Sequence, residues 1–174
     1  MAPLPPARHA GPMLIRDATA DDWPAIWPFF HRIVAAGETY PYALDMSAEQ
    51  GRDVWMPPPP DRTTVAIDDE GLIVGSAKMN ANRQGNGDHV ASASYMVDPD
   101  RFARGTGRAL CEDSLRWARA RGFLSMEFNA VVETNVHAVK LYESLGFRIT
   151  GTQPRAFRHP VAGLVGLHCM HVDL

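Results

Sequence analysis

The spacing of apolar residues changes period repeatedly along this chain, and each change marks an element. After a proline-rich start, "MAPLPPARHAGP", the run "MLIRDAT" predicts a short strand over residues 13–16. "TADDWPAIWPFFHRIVAAG" then places its apolar residues at helical spacing, with Thr19 or Asp21 as cap and Pro24 in the tolerant first turn. Pro28 falls deeper, where a missing donor predicts a kink or a late helix start. "GETYPYALDM" keeps no period and reads as an irregular loop with two tyrosines. In "SAEQGRDVWM", Ser47 and Gln50 lie three apart, the spacing of a capping box, so a second short helix is expected, ended by the four prolines 57–60.

The character then changes to strand. "TTVAI", "LIVGSAKM" and "HVASASYMV" are strand-like, the first two joined by the turn "DDEG" and the last two by "NRQGNGD". From Gly107 to Arg121 the residues Leu110, Ser114, Trp117, Ala118 and Arg121 return to helical spacing, and Gly122 stops the run. "FLSMEFNAVV" predicts another strand, and "NVHAVKLYESLG" a helix capped by Asn135 and ended by Gly146. "FRITGTQ" and "LVGLHCMHVDL" close as strands around a loop, "PRAFRHPVAG". The predicted order is β α α β β β α β α β β, an α+β class with a mixed central sheet. Residues 1–12 read as a flexible tail and 13–174 as a single domain.

Composition sharpens this picture in a few places. With 174 residues, 45% of them apolar, the chain is long enough for one full core. A net charge of −3 argues against broad nucleic-acid binding, so any anion site is local. Cys111 and Cys169 form no spaced pair, and His168 and His171, three apart in a strand, point to opposite faces, so no metal is expected. No stretch is long enough to span a bilayer and the start lacks the apolar centre of a signal peptide, so a cytoplasmic protein without membrane partners is expected.

The candidate chemistry lies in "VDPDRFARGTGRAL". Here a strand hands over to a helix through two glycines, with Arg104 and Arg108 each just before or after them. The first turn of a helix offers backbone N–H groups without internal partners at the positive end of its dipole, and glycines let a ligand approach them. A pyrophosphate suits that arrangement; a glycine-assisted turn with solvated arginines suits it equally on "GTG" alone. A dinucleotide fingerprint is excluded, because the glycines follow the fourth strand and Ala109 and Leu110 stand where a third glycine is needed. No Gly-Lys-Ser/Thr is present for a P-loop.

Together with the segment from Asn135 to Phe147, the turn resembles the acetyl-CoA loop of the GCN5-related N-acetyltransferase (GNAT) family, Arg/Gln-x-x-Gly-x-Gly/Ala after a "V-x-P" strand end. "VDP" is present, Gly105 and Gly107 fill the glycine positions, and Phe102 replaces the first residue beside Arg101. "NVHAVKLYESLGF" is similar to the family's "N-x-x-A-x-x-LYE-x-LGF", and the likeness extends over residues 13–174. The resemblance implies a mostly antiparallel sheet splayed between strands 4 and 5 and flanked by helices. It implies acetyl-CoA as cosubstrate, its pyrophosphate on the amides of Ala103, Arg104, Gly105, Thr106, Gly107 and Arg108. Its pantetheine arm would pair with the fourth strand near Met96 and Val97, where a backbone N–H polarises the thioester carbonyl. Asn135 would contact the arm, or act as a plain helix cap, or both. Tyr142 would return a proton to the thiolate, against the alternative of a core aromatic.

For the acceptor, "HV", "FN…ETN" and "RGxG" resemble the fungal acetyltransferases acting on azetidine-2-carboxylate and related proline analogues. By that likeness Asn129 faces the acceptor and Ser92 stands where that type carries an asparagine. "GETYPY" is similar to the acceptor loop of phosphinothricin-type acetyltransferases, which adds Glu38 and Tyr40. No general base is assigned: Glu127 shares a strand face with Asn129, and His89 and Tyr95 share parity on the strand before, but each has an ordinary structural reading. The expected function is acetyl transfer to the amine of a small amino-acid-like or imino-acid-like molecule by direct attack, with Cys111 poorly placed as a nucleophile. Acetylation of a protein amine and a CoA sensor without turnover remain as alternatives. The apolar C-terminal strand allows a homodimer.

Overall fold

A computed structural model describes residues 13–101 and 104–174; the segment 1–12, expected as a tail, and Ala103, expected at the pyrophosphate, lie outside the described residues. The order of elements follows the expectation: β1 (Leu14–Asp17), α1 (Trp23–Ala36), α2 (Ala48–Trp55), β2 (Arg62–Ile67), β3 (Ile73–Ala81), β4 (Val90–Val97), α3 (Thr106–Ala120), β5 (Ser125–Val132), α4 (Val136–Ser144), β6 (Arg148–His159) and β7 (Gly163–Asp173). They form one seven-stranded sheet in the order β1-β2-β3-β4-β5-β7-β6. Every neighbouring pair is antiparallel except β4 and β5, which run parallel.

Apolar residues on the two faces of the sheet make two cores. On one face, Leu110, Leu115 and Ala118 of α3 pack with Ala77, Met79, Ala91, Ala93, Met126, Phe128 and Met170, and α4 adds Val139 and Tyr142. On the other, Ile26, Phe29, Phe30 and Val34 of α1 pack with Trp55, Val65 and Met96. Trp55 is fully buried and anchors α2 by hydrogen bonds as well as by area. Its indole N–H donates to Ser76 Oγ (2.9 Å), Ser76 donates on to the Thr64 carbonyl (2.8 Å), and Thr63 donates to the Trp55 carbonyl (2.9 Å). Ser47 and Gln50 exchange both bonds of the capping box at the start of α2, at 3.2 and 2.9 Å.

Two expectations need adjustment. A 3-10 turn, Ala20–Asp22, takes Thr19 as its cap, and α1 begins late at Trp23 and holds Pro28 inside. The donor lost at Pro28 is the one that would have reached Pro24, a single bond near the helix start. The loop expected at "PRAFRHPVAG" is largely strand: β6 continues to His159. β6 is the edge of the sheet, where the missing N–H of Pro154 has no ladder partner to disappoint. The register shifts between Gln153 and Phe157, and Arg155 takes a left-handed φ of 54°, so the strand absorbs the irregularity as a bulge. Among the described residues, no helix is long and apolar enough to cross a membrane.

Candidate active site

The parallel pairing of β4 with β5 is short: Val90 faces Ser125, Ala91 faces Met126, and there the ladder ends. The strands part beyond it, and a cleft of about 710 Å³ opens in the gap, bounded also by the start of α3, by α4 and by residues 39–42. Hydrogen-bond parity decides which backbone groups of β4 face the gap. The Val90 carbonyl accepts from Asn82 N–H (2.7 Å) and Asp98 N–H donates to the Val74 carbonyl (2.8 Å), both across to β3. Residues an even number away, including Met96, therefore also turn their backbone toward β3, while Ala93, Tyr95 and Val97 turn theirs into the gap. Of the pair expected to meet the pantetheine arm, Val97 offers its backbone. Met96 lines the cleft, but its side chain is buried under α1 and α2 and its backbone is engaged with Ser76; Tyr95 beside it turns its backbone into the gap.

At the mouth, Gly105 caps α3 with φ 93°, a conformation costly for any residue with a Cβ, and a Cβ there would point into open space. The first intrahelical bond runs from Ala109 N–H to the Gly105 carbonyl (2.9 Å), so the amides of Gly107 and Arg108 have no partner within the helix. Thr106 is buried against β3, where Gly75 leaves room: a Cβ on Gly75 would lie 2.9 Å from Thr106 Cγ2 and 3.0 Å from the Met96 carbonyl oxygen. Arg104 is exposed and makes no ion pair among the described residues, whereas Arg108 reaches Glu112 at 3.5 Å and Ser144 Oγ at 2.5 Å. Arg104 is thus available to an anion at the mouth, while Arg108 ties α3 to α4.

Tyr142 and Asn135 enter from α4. The Tyr142 ring packs on Phe128 (centroids 4.7 Å apart), Tyr95 and Phe147 (6.0 Å each), while its hydroxyl finds no hydrogen-bond partner among the described residues. Burial pushes the phenol above its ordinary value, so it stays protonated. Asn135 lines the cleft and also caps α4, its Oδ1 accepting from Ala138 N–H (3.3 Å). Cys111 is fully buried and its thiol is pushed up to about 12 by desolvation, which removes it as a nucleophile.

On the acceptor side the structure gathers most of the expected residues and rearranges their bonds. Tyr40 lines the cleft, and its hydroxyl donates to the Tyr95 carbonyl, one of the groups turned into the gap. Tyr42 stacks against it at 5.5 Å. Ser92 donates to the Glu127 carbonyl (2.8 Å), tying β4 to β5 at the point where they separate. Asn129 lines the cleft with its amide bonded both ways to Asn82, at 2.6 and 3.2 Å. Glu38, expected beside Tyr40, is exposed and outside the lining, because the left-handed Gly37 (φ 67°) ending α1 turns it outward before residues 39–42 come back under the sheet. Glu127 also stays outside, held by Arg83 (3.2 Å) and Asn82 (3.3 Å).

With this geometry in place, comparison with known proteins is decisive. The profile of the Acetyltransferase (GNAT) family matches residues 18–147. The chain belongs to the GNAT family. A GCN5-related N-acetyltransferase from Kribbella flavida is 56% identical, with a TM-score of 0.90 over 93% of this chain and 98% of that one. A GNAT phosphinothricin acetyltransferase from Sinorhizobium meliloti, solved in complex with AcCoA, shares the fold at 20% identity, with a TM-score of 0.83 over 93% and 88% of the two chains. The N-acetyltransferase aca1 of Schizosaccharomyces pombe is 28% identical over 137 residues, 71% of this chain; the chain spans 66% of aca1's length, less than two thirds.

Within this GNAT fold, sequence reasoning missed Asn82 and Arg83, which sit in a polar connection with no period. Their partners Asn129 and Glu127 lie more than 40 residues away, at separations of 47 and 44. It missed also the strap from Arg32 on α1 to Asp98 (2.9 Å) and Asp100, which fastens α1 to the end of β4.

Proposed function

We propose that residues 13–174 form one N-acetyltransferase domain that moves an acetyl group from acetyl-CoA to the amine of a small amino-acid-like or imino-acid-like molecule. One observation carries the reading: β4 and β5 part beside the open amides of α3, and a phenol without a hydrogen-bond partner among the described residues faces the same gap. The gap fits the cosubstrate, since backbone groups of Ala93, Tyr95 and Val97 on β4 turn toward it, Gly105 leaves open space at the mouth and Arg104 is available to pair with a phosphate. Residues 104–108 would hold the diphosphate, Tyr95 and Val97 the arm, and Asn135 its amide portion. Bound there, acetyl-CoA supplies a thioester as acyl donor.

The chain's own groups supply the rest. A backbone N–H of β4 donates to the thioester oxygen as charge develops on it, an interaction strongest in the transition state. Tyr142 holds its proton and gives it to the departing sulfur. Among the described residues that line the cleft, Asp98 is the single carboxylate, and Arg32 holds it by an ion pair; His137 is the other lining side chain able to accept a proton near neutral pH, and no general base is assigned. Residues 39–42, Ser92 and Asn129 shape an acceptor space without a strong field, which supports a small molecule over a basic protein tail.

Purified protein with acetyl-CoA and a panel of amino acids, imino acids, polyamines and peptides, followed by thiol release, tests this. Turnover confined to the small amino- or imino-acid members is expected. Turnover of peptides alone, or of nothing in the panel, contradicts it.

A further inference from the structure

The stretch "FNAVVETN" carries a glutamate near its end that the transfer reaction leaves unused. Register places Glu133 opposite Gly166, one step beyond the pair Val132 and Leu167. The Glu133 N–H donates to the Gly166 carbonyl (3.1 Å), as an antiparallel pair requires. The return bond is unusual. Gly166 N–H donates to the Glu133 carboxylate, Oε1, instead of to the Glu133 carbonyl. The side chain stands in for its own backbone and frees the chain to leave the sheet. It does so at once: Asn135 N–H closes a turn onto the Val132 carbonyl (2.9 Å), and α4 begins at Val136.

Gly166 is bare because the carboxylate covers it. A Cβ there would lie 2.8 Å from Glu133 Oε2 and 2.8 Å from Thr152 Cγ2. Glu133 makes no ion pair among the described residues, so this amide is what its charge addresses. The position of α4 depends heavily on such an anchor. The helix has nine residues and none fully buried. Its C-terminal end is fixed by buried Phe147, stacked on Phe128 at 4.3 Å; its N-terminal end is fixed by the turn that Glu133 creates.

We infer that Glu133 is a positioning residue of the transfer reaction: by clamping Gly166 it sets the departure of the chain from β5, and thereby the placement of Asn135 and Tyr142 along the gap. The inference rests on the acetyl-transfer reading for its functional part, and on β5–β7 geometry alone for its structural part.

Three variants test it: Glu133→Ala, Glu133→Gln, and Gly166→Ala, which keeps the carboxylate but drives it off. Amide hydrogen exchange is read in the free protein, acetyl-CoA affinity by calorimetry, and kcat with both KM values by thiol release. Glu133→Ala and Gly166→Ala should speed exchange at Asn135, Ala138 and Val139 and weaken acetyl-CoA binding, each by roughly tenfold, as loss of a charge-assisted bond allows. kcat should fall with them, and the acceptor KM should hold. Glu133→Gln keeps an oxygen acceptor and should restore both readouts to within about threefold of wild type. Unchanged exchange in Glu133→Ala overturns the clamp. Wild-type acetyl-CoA affinity and kcat in that variant, or a Gln variant as damaged as the Ala one, overturns its role in positioning. A wild-type chain that takes up no acetyl-CoA overturns the acetyl-transfer reading instead, while exchange still decides the clamp.

Discussion

Tyr142→Phe removes one oxygen and leaves the ring, so its consequences can be separated cleanly. The ring contacts with Phe128, Tyr95 and Phe147 persist, and the hydroxyl has no hydrogen-bond partner to lose among the described residues. Stability should therefore hold within about 0.5 kcal/mol, the range of a substitution that breaks no buried contact. The catalytic effect depends on the leaving group. A free thiol has a pKa of about 8.5, so a thiolate departs tolerably without help and the acid's contribution belongs at the low end of the usual 10²–10⁴. A fall in kcat of about 10²-fold, or about 2.7 kcal/mol, is expected. Acetyl-CoA affinity by calorimetry should stay within about twofold, because the hydroxyl acts on charge that develops after binding. The wild-type rate should also show no alkaline loss up to pH 10, the ordinary value of the phenol, since burial raises it further. Thiol release at saturating substrates is the assay. A Phe variant within threefold of wild type in kcat would refute the acid role and return Tyr142 to the core.

Three further outcomes are expected. Tyr40→Phe leaves the Tyr95 carbonyl without its phenol donor, at a cost of about 1–3 kcal/mol in urea unfolding, with a raised acceptor KM in the same assay; unchanged stability contradicts the bond. Gly105→Ala forces a φ of 93° on a residue with a Cβ, so about 1–2 kcal/mol of stability and a measurable share of acetyl-CoA affinity should be lost, although no atom lies within 4 Å of the added methyl. Arg16, bonded at 2.7 and 2.8 Å, together with Thr19 N–H, holds the Asp22 carboxyl down to about 2 against its burial. That depressed value means the stabilisation is present above the ordinary carboxylate pKa and is lost as pH falls from about 4 through about 2; Asp22→Asn should remove this part of the acid sensitivity in a denaturation series.

The features legible in the sequence are those set by local physics. Helical and strand periods, the Ser47 capping box and the turn at Gly105 are set by neighbours within a few residues, and they appear where expected. Parity was not legible: whether Met96 or Tyr95 faces the gap depends on the register of β4 with β3, fixed by Asn82 and Val74 at a distance. "PRAFRHPVAG" looked like a loop because Pro154 and Arg155 are poor ladder residues, and only the edge position of β6 makes them acceptable. Glu38 and Tyr40 are two apart in one loop, yet Gly37 sends the first to solvent while the second reaches β4. Asn82 carried no signal of its own, and Glu133 stood out only as part of "ETN", with nothing to show its bond, since each acts through a partner on a different strand.

A crystal structure grown with CoA tests the central claim most directly. The arm is expected in the gap alongside Tyr95 and Val97, the diphosphate on the amides opening α3, and the sulfur beside the Tyr142 hydroxyl. CoA bound elsewhere on the chain, or a gap that excludes it at saturating concentration, would contradict that claim.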